Sequence, residues 1–250
     1  MSDSYTVPKD AHGHPMNLQH HFDTPLQQFE SGKMGMWIFL MTEILFFGGI
    51  FCAYSIFRAM HPEIFHYASQ LLDWKMGAIN TVVLICSSLT MAWSVRCAQL
   101  GQKQLLIIML SLTIALAGVF MAVKYVEYSD KFAHGYLWGT HYTSPSAHDS
   151  NAGHAAGQAG EHTAASSAVS LPDSPEPKNV HLFFGIYFFM TGLHGVHVLG
   201  GMIAIGWLLL RAVKGHFGPG YATPVDAVGL YWHLVDLIWI FLFPLLYLIA

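Results

Sequence analysis

Apolar positions in this chain neither alternate nor recur in turns; they run together. Five stretches are apolar almost throughout: Met34 to Phe57, Met76 to Val95, Leu105 to Val123, Val180 to Leu210 and Ala227 to Ala250. About 20 residues at about 1.5 Å each cross the hydrocarbon core of a bilayer, so each run predicts a spanning segment. The fourth, at 31 residues, is expected to tilt or protrude. Only helices and closed barrels satisfy the backbone in lipid, and these unbroken runs read as helices. The expected fold is all-α, an integral membrane bundle of five transmembrane helices. One membrane domain covers 34–250, preceded by a polar segment, 1–33.

The polar stretches between the runs differ in sign. The connection after the second span carries Arg96 and Lys103, and the one after the fourth carries Arg211 and Lys214. The segment from Glu127 to Lys178 has six acidic residues against two lysines. Basic loops stay cytoplasmic. The N-terminus is therefore expected in the cytoplasm, with the long loop, about 129–179, and the C-terminus in the periplasm. That loop contains HYTSPSAHDSNAGHAAGQAGEHTAASSAVSLPDSPEPK, which has almost no large apolar residue to bury. It reads as an extended spacer, although His141, His148, His154 and His162 offer weak metal ligands. No signal-peptide pattern precedes the first run, so insertion is expected to begin with that span.

Composition agrees with the pattern. The chain of 250 residues is 54% hydrophobic and 10% charged, against about 25% charged in soluble domains. Cys52, Cys86 and Cys97 lie in or beside apolar runs and form no CxxC pair, which argues against a disulfide framework and covalent haem attachment. No phosphate-binding loop, nucleophile elbow or nucleic-acid motif is present.

A charged group within a span is costly and needs a partner or a task. The candidates are Glu43 in the first span, His194 and His197 in the fourth, and His233 and Asp236 in the fifth. Lys124 and Glu127 form a polar pair at the outer end of the third. Helical rise puts Glu43 and Asp236 about 14 Å from the inner ends of their spans and His233 about 9 Å. His197 comes out at about 20 Å and His194 at about 24 Å. Glu43, His233 and Asp236 thus share an inner layer with His197 just above. Each i, i+3 pair, His194 with His197 and His233 with Asp236, occupies one helix face.

Three readings fit these residues. Haem or metal ligation needs imidazoles on both sides of the iron, and three deep histidines at unequal depths supply that poorly. A proton path through Glu43 suits an intramembrane carboxylate. An interhelical hydrogen-bond network asks least of the residues. Gly48, Gly49, Gly192, Gly195, Gly200 and Gly201 are expected to allow close helix approach. Trp37, Trp74, Trp93, Trp207 and Trp232 read as interface anchors.

Several segments together resemble subunit III of the haem-copper oxidases of the cytochrome c oxidase type. GKMGMWIFLMTEILFFGGIFCAY resembles the family helix that carries a buried, carbodiimide-reactive glutamate, and Glu43 holds that position. MGAINTVVLICSSLTMAWS, KYVEY, FMTGLHGVHVLGG and YWHLVDLIWIFLF resemble the helices that follow. The resemblance covers about 34–135 and 180–250 and is to the five-helix bacterial form. The mitochondrial form has two further helices before the glutamate helix. The His-rich insertion at about 140–178 is not part of the family pattern.

The resemblance implies a non-catalytic subunit of a bacterial inner-membrane oxidase that pumps protons and reduces oxygen. Such a subunit packs on oxidase subunits I and II, binds phospholipid, and supports proton uptake and durable turnover. Haem and copper reside in the partner subunits, and cytochrome c is the electron donor; a larger respiratory supercomplex is a further implied partner. His194 and His197 become bundle groups, and Glu43 the residue with a functional role. A quinol oxidase subunit, a nitric oxide reductase accessory subunit and a stand-alone haem b carrier using His194, His197 and His233 are the rival readings.

Overall fold

A computed structural model describes residues 22–133, 179–215, 217 and 221–248. Among them the chain is helical, without strands. The helices are α1 (Pro25–Met60), α2 (Pro62–Gln70), α3 (Trp74–Gln99), α4 (Lys103–Ala133), α5 (His181–Val213) and α6 (Thr223–Tyr247). All except α2 are long and apolar enough to cross a membrane. The His-rich insertion lies outside the described residues.

Local chemistry sets the helix ends. α1 begins at Pro25 rather than at the apolar boundary, Met34. Thr24 Oγ1 accepts the Gln27 amide at 3.2 Å, and Gln27 Oε1 accepts the Asp23 amide at 3.0 Å. This reciprocal capping satisfies donors that helix geometry leaves free, and Pro25 follows at the first helical position, where no amide is required. α3 starts where Asp73 Oδ1 accepts the Lys75 amide at 2.9 Å. It ends at Gly101, with φ +71°. There Gln102 N donates to Cys97 O and Gly101 N to Ala98 O, at 3.0 and 3.2 Å. That is the Schellman arrangement, and glycine is the residue that takes its left-handed position without strain.

α2 was not visible in the apolar pattern. It is nine residues long and buries Ile64, Phe65, Tyr67, Ala68 and Ser69 on one side. α4 continues past the apolar boundary at Val123 to Ala133, carrying Lys124, Glu127 and Lys131 with it.

The described residues fall into two compact units. One holds the described residues of Met1–Gly49, Val83–Val119 and Val196–Ile238; the other holds those of Ile50–Val82, Phe120–Gly195 and Trp239–Ala250. In the first, Trp232, Val198, Ile205, Met91 and Leu110 are buried. In the second, Phe65, Phe183, Phe184, Tyr187 and Trp239 form an aromatic core, with Phe65 and Phe183 edge to face at 5.3 Å. Helix burial is uneven. Only 11% of the most apolar window of α1 is buried within the chain, against 39% for α6. The exposed residues of α1 include Trp37, Ile38, Met41, Ile44 and Leu45, a face suited to lipid or to another membrane subunit.

The glycines divide. A Cβ at Gly201 would stand 2.7 Å from the Trp232 ring, so this close approach of α5 and α6 requires glycine. At Gly48, Gly49 and Gly195 a Cβ would meet nothing within 4 Å. Among the described residues no neighbouring helix approaches those three.

Candidate functional site

In the first unit, α1 presents Phe39, Glu43 and Phe47 at successive i, i+4 positions, which is one helix face. Phe39 meets Tyr231 with ring centroids 5.8 Å apart. Phe47 stands edge-on to the His197 ring at 5.0 Å. Between them, Glu43 Oε2 lies 3.0 Å from His197 Nε2. The contact has ion-pair distance without the alignment of a formed hydrogen bond. Both side chains are a little under one-fifth exposed, at 17% and 18%, so the pair is shielded but reachable.

Small residues place this pair. Gly200 and Gly201 let Tyr231 and Trp232 close on α5. Tyr231 then donates its hydroxyl to the His197 carbonyl at 3.0 Å. Two helices, α1 and α6, thereby converge on one turn of α5.

The same unit holds a second polar group. Ser88 Oγ lies 2.6 Å from His233 Nδ1. Its neighbour Ser87 accepts the Trp232 indole N–H at 2.9 Å. Asp236 is 3% exposed, and neither of its carboxylate oxygens has a hydrogen-bond partner among the described residues. Thr90 and Thr113 join α3 to α4 at 2.8 Å. Such bonds fix helix faces where apolar burial offers no driving force.

In the second unit, Lys124 and Glu127 are the centre of a saturated network. Lys124 Nζ donates to Glu127 Oε2 at 2.7 Å and to the Tyr247 hydroxyl at 2.8 Å. Tyr187 and Tyr247 donate to the other carboxylate oxygen at 2.7 and 2.5 Å. The ammonium also lies 4.6 Å from the centre of the Trp239 ring. Both charges are buried, and each carboxylate oxygen is engaged. A buried pair is tolerated on those terms, and the arrangement reads as an anchor of α4, α5 and α6.

His194 is fully buried beside these groups. Its ring meets Phe120 edge-on at 5.7 Å and Trp239 at 5.2 Å. His194 and His197, three residues apart, thus belong to different compact units and have different neighbours. Glu43 is brought to His197, Lys124 to Glu127, and His233 to Ser88 rather than to another charged group. Tyr187, Tyr247, Tyr231 and Ser88 were not among the sequence candidates. Tyrosine and serine in an apolar run carry no charge to mark them; their hydroxyls gain meaning only from the facing helix. Among the described residues, no group of three or more His, Cys, Asp or Glu is placed to hold a metal ion.

The family model described as "Cytochrome c oxidase subunit III" matches residues 17–144 and 158–250. A cytochrome c oxidase subunit 3 from Corynebacterium diphtheriae is 29% identical over 219 residues, 87% of each chain. One from Prototheca wickerhamii is 25% identical over 236 residues, 92% of this chain and 72% of its own. One from Gallus gallus is 29% identical over 221 residues, 86% of this chain and 68% of its own.

Proposed function

This chain belongs to the cytochrome c oxidase subunit III family, and from that premise we propose that it is the non-catalytic subunit that packs on the catalytic subunit and sustains its proton uptake. Membership makes it a multi-pass inner-membrane protein with oxidase subunits as partners. In the proposed role it adjoins subunits I and II and binds phospholipid. It leaves haem and copper to those partners, and the complex takes electrons from cytochrome c. Its N-terminus is cytoplasmic and its C-terminus periplasmic.

The observation that carries the reading is the Glu43–His197 contact at 3.0 Å, partly reachable from outside the chain. Carboxyl and imidazole side chains that meet inside a span are the kind of groups that mark proton paths. The pair belongs to the same compact unit as both basic turns. Lys103 of one turn sits against Gly215 of the other: a Cβ there would be 3.0 Å from its Nζ. Two adjacent basic turns support one cytoplasmic end, which is the side from which protons are taken up. The apolar face of α1, little buried within the chain, supports a membrane partner or bound lipid.

The test is recovery of the tagged chain from its native membrane in mild detergent, with absorption and mass spectra of what accompanies it. Haem-bearing and copper-bearing oxidase subunits should accompany it, and haem should vanish when the chain is stripped free. Haem retained by the isolated chain would overturn the reading.

A further inference from the structure

We propose that the cavity at the end of α1 binds the headgroup phosphate of an anionic phospholipid, with Arg58 as its cation and the seam between α1 and α6 as the track of an acyl chain. The site gives a place and a charge preference to the phospholipid of the role proposed above, and it rests on that reading.

The end of the first span builds the site. The apolar run of α1 closes at Phe57, and Arg58 is the next residue. A basic side chain at that boundary reaches the level of the lipid headgroups. α1 stops at Met60, and Pro62 opens α2. The turn between them leaves a cavity of about 320 Å³. Tyr54, Ser55, Arg58, Ala59 and Pro62 line it, and Leu245 of α6 is the facing wall.

The polar groups around the cavity suit an anion. The Tyr54 hydroxyl donates to the Leu245 carbonyl, one of the acceptors that a helix end leaves without an intrahelical partner. Ser55 Oγ donates to the Phe51 carbonyl at 2.8 Å. Both hydroxyl protons are thus given to backbone carbonyls, and the side-chain donors that remain are those of Arg58. Among the described residues no carboxylate forms an ion pair with Arg58. Glu63, the acidic residue of α2, is exposed and makes no such pair. A guanidinium offers five N–H donors in a planar fork that matches phosphate oxygens.

The seam below the cavity favours a lipid over a soluble anion. Phe51, Tyr54, Ser55 and Arg58 fall at i, i+3, i+4 and i+7, one face of α1. One turn before Tyr54 and Leu245, Phe51 meets Phe241 of α6 with ring centroids 6.5 Å apart. Phe241 is 54% exposed, and Ile56 and Phe57 of α1 are exposed as well. An acyl chain hanging from a phosphate at Arg58 covers this apolar surface, and a free phosphate does not. Burial of apolar area and attraction of opposite charge then act on one ligand.

The experiment is native mass spectrometry of the intact oxidase complex, delipidated in detergent and titrated with phosphatidylglycerol or with zwitterionic phosphatidylcholine. Arg58→Gln should bind one phosphatidylglycerol at least about tenfold more weakly than wild type, the scale of one charge-assisted hydrogen bond. Phosphatidylcholine binding should be equal in the two. Arg58→Lys, which keeps the charge, should retain most of the affinity. Ala59→Phe fills the cavity without touching the charge and should lose the same lipid, which covers the case that Arg58→Gln fails to assemble. An arginine that serves only the carbonyl end of its helix would lower the thermal midpoint on replacement and leave the lipid in place. Wild-type retention of phosphatidylglycerol in Arg58→Gln or in Ala59→Phe would therefore overturn the site. Displacement of the lipid by inorganic phosphate would overturn it too, because the occupant would then be a soluble anion. The same spectra weigh the oxidase subunits. Partners present with the lipid unmoved by either variant refute the site alone. Partners absent, with the lipid still lost in Arg58→Gln, support the site and refute the role proposed for the chain.

Discussion

Glu43 of α1 and His197 of α5 meet at 3.0 Å, with the His197 carbonyl held by the hydroxyl of Tyr231 of α6. Neither residue is fully enclosed. A reagent that partitions into the membrane should reach the carboxyl, and the imidazole keeps it in a defined place. Glu43→Gln should therefore assemble normally and lose carbodiimide labelling. Quantitative labelling of the purified complex checks this, and undiminished labelling in the variant would refute it. His197→Leu should leave Glu43 labelled and change the rate of labelling, since the side chain that holds the carboxyl in place is gone.

The Lys124–Glu127 network makes a stability prediction of the opposite kind. Removing one member of a buried ion pair strands the other charge, at a cost of about 3–5 kcal/mol. Lys124→Met should thus lower the thermal midpoint sharply. The double variant Lys124→Met/Glu127→Leu should recover part of the loss, because the stranded carboxylate is removed while the buried Lys131 keeps its charge. Thermal unfolding of the four proteins in a double-mutant cycle reads the coupling directly. Equal losses in the single and double variants would show that the network does not act as a pair.

Two glycines of one helix should behave differently. A Cβ at Gly201 meets the Trp232 ring at 2.7 Å, whereas one at Gly195 meets nothing within 4 Å. Gly201→Ala should cost about 1–3 kcal/mol by overpacking and loosen the Tyr231 bond to His197. Gly195→Ala should be neutral or slightly stabilising, since alanine is the better helix former. Thermal unfolding distinguishes them, and similar losses at both positions would contradict the packing described.

Removing the Tyr231 hydroxyl isolates its bond to the His197 carbonyl. Tyr231→Phe should cost about 0.5–1.5 kcal/mol, the net worth of one intramolecular hydrogen bond. It should also broaden the rate distribution of Glu43 labelling as α5 gains freedom. Carbodiimide kinetics on wild type and variant provide the check, and unchanged kinetics would show that Tyr231 does not help to position the pair.

Particular residues show what could be read in advance. The five spanning helices follow from uninterrupted apolar runs, because hydrocarbon forces backbone polar groups into helices. The true start of α1 was also encoded, in Thr24, Pro25 and Gln27, but in capping chemistry rather than hydropathy. α2 escaped because nine residues with mixed polarity give too short a pattern. Charge made Glu43, Lys124, Glu127 and Asp236 conspicuous. It did not reveal Ser88, Tyr187, Tyr231 or Tyr247, whose hydroxyls matter only against a facing helix.

By itself, then, the sequence determined the class of molecule, the spans and the short set of charged groups that needed partners. Those properties depend on local composition and on the cost of polarity in lipid. Tertiary structure alone decided the partnerships. His194 and His197 are three residues apart in one glycine-rich stretch, yet one packs on Phe120 and Trp239 and the other meets Glu43. Which neighbour a side chain meets depends on which helix lies opposite and how closely it approaches. That depends on small residues such as Gly201 and on bonds made across long sequence separations, which no pattern along one helix contains.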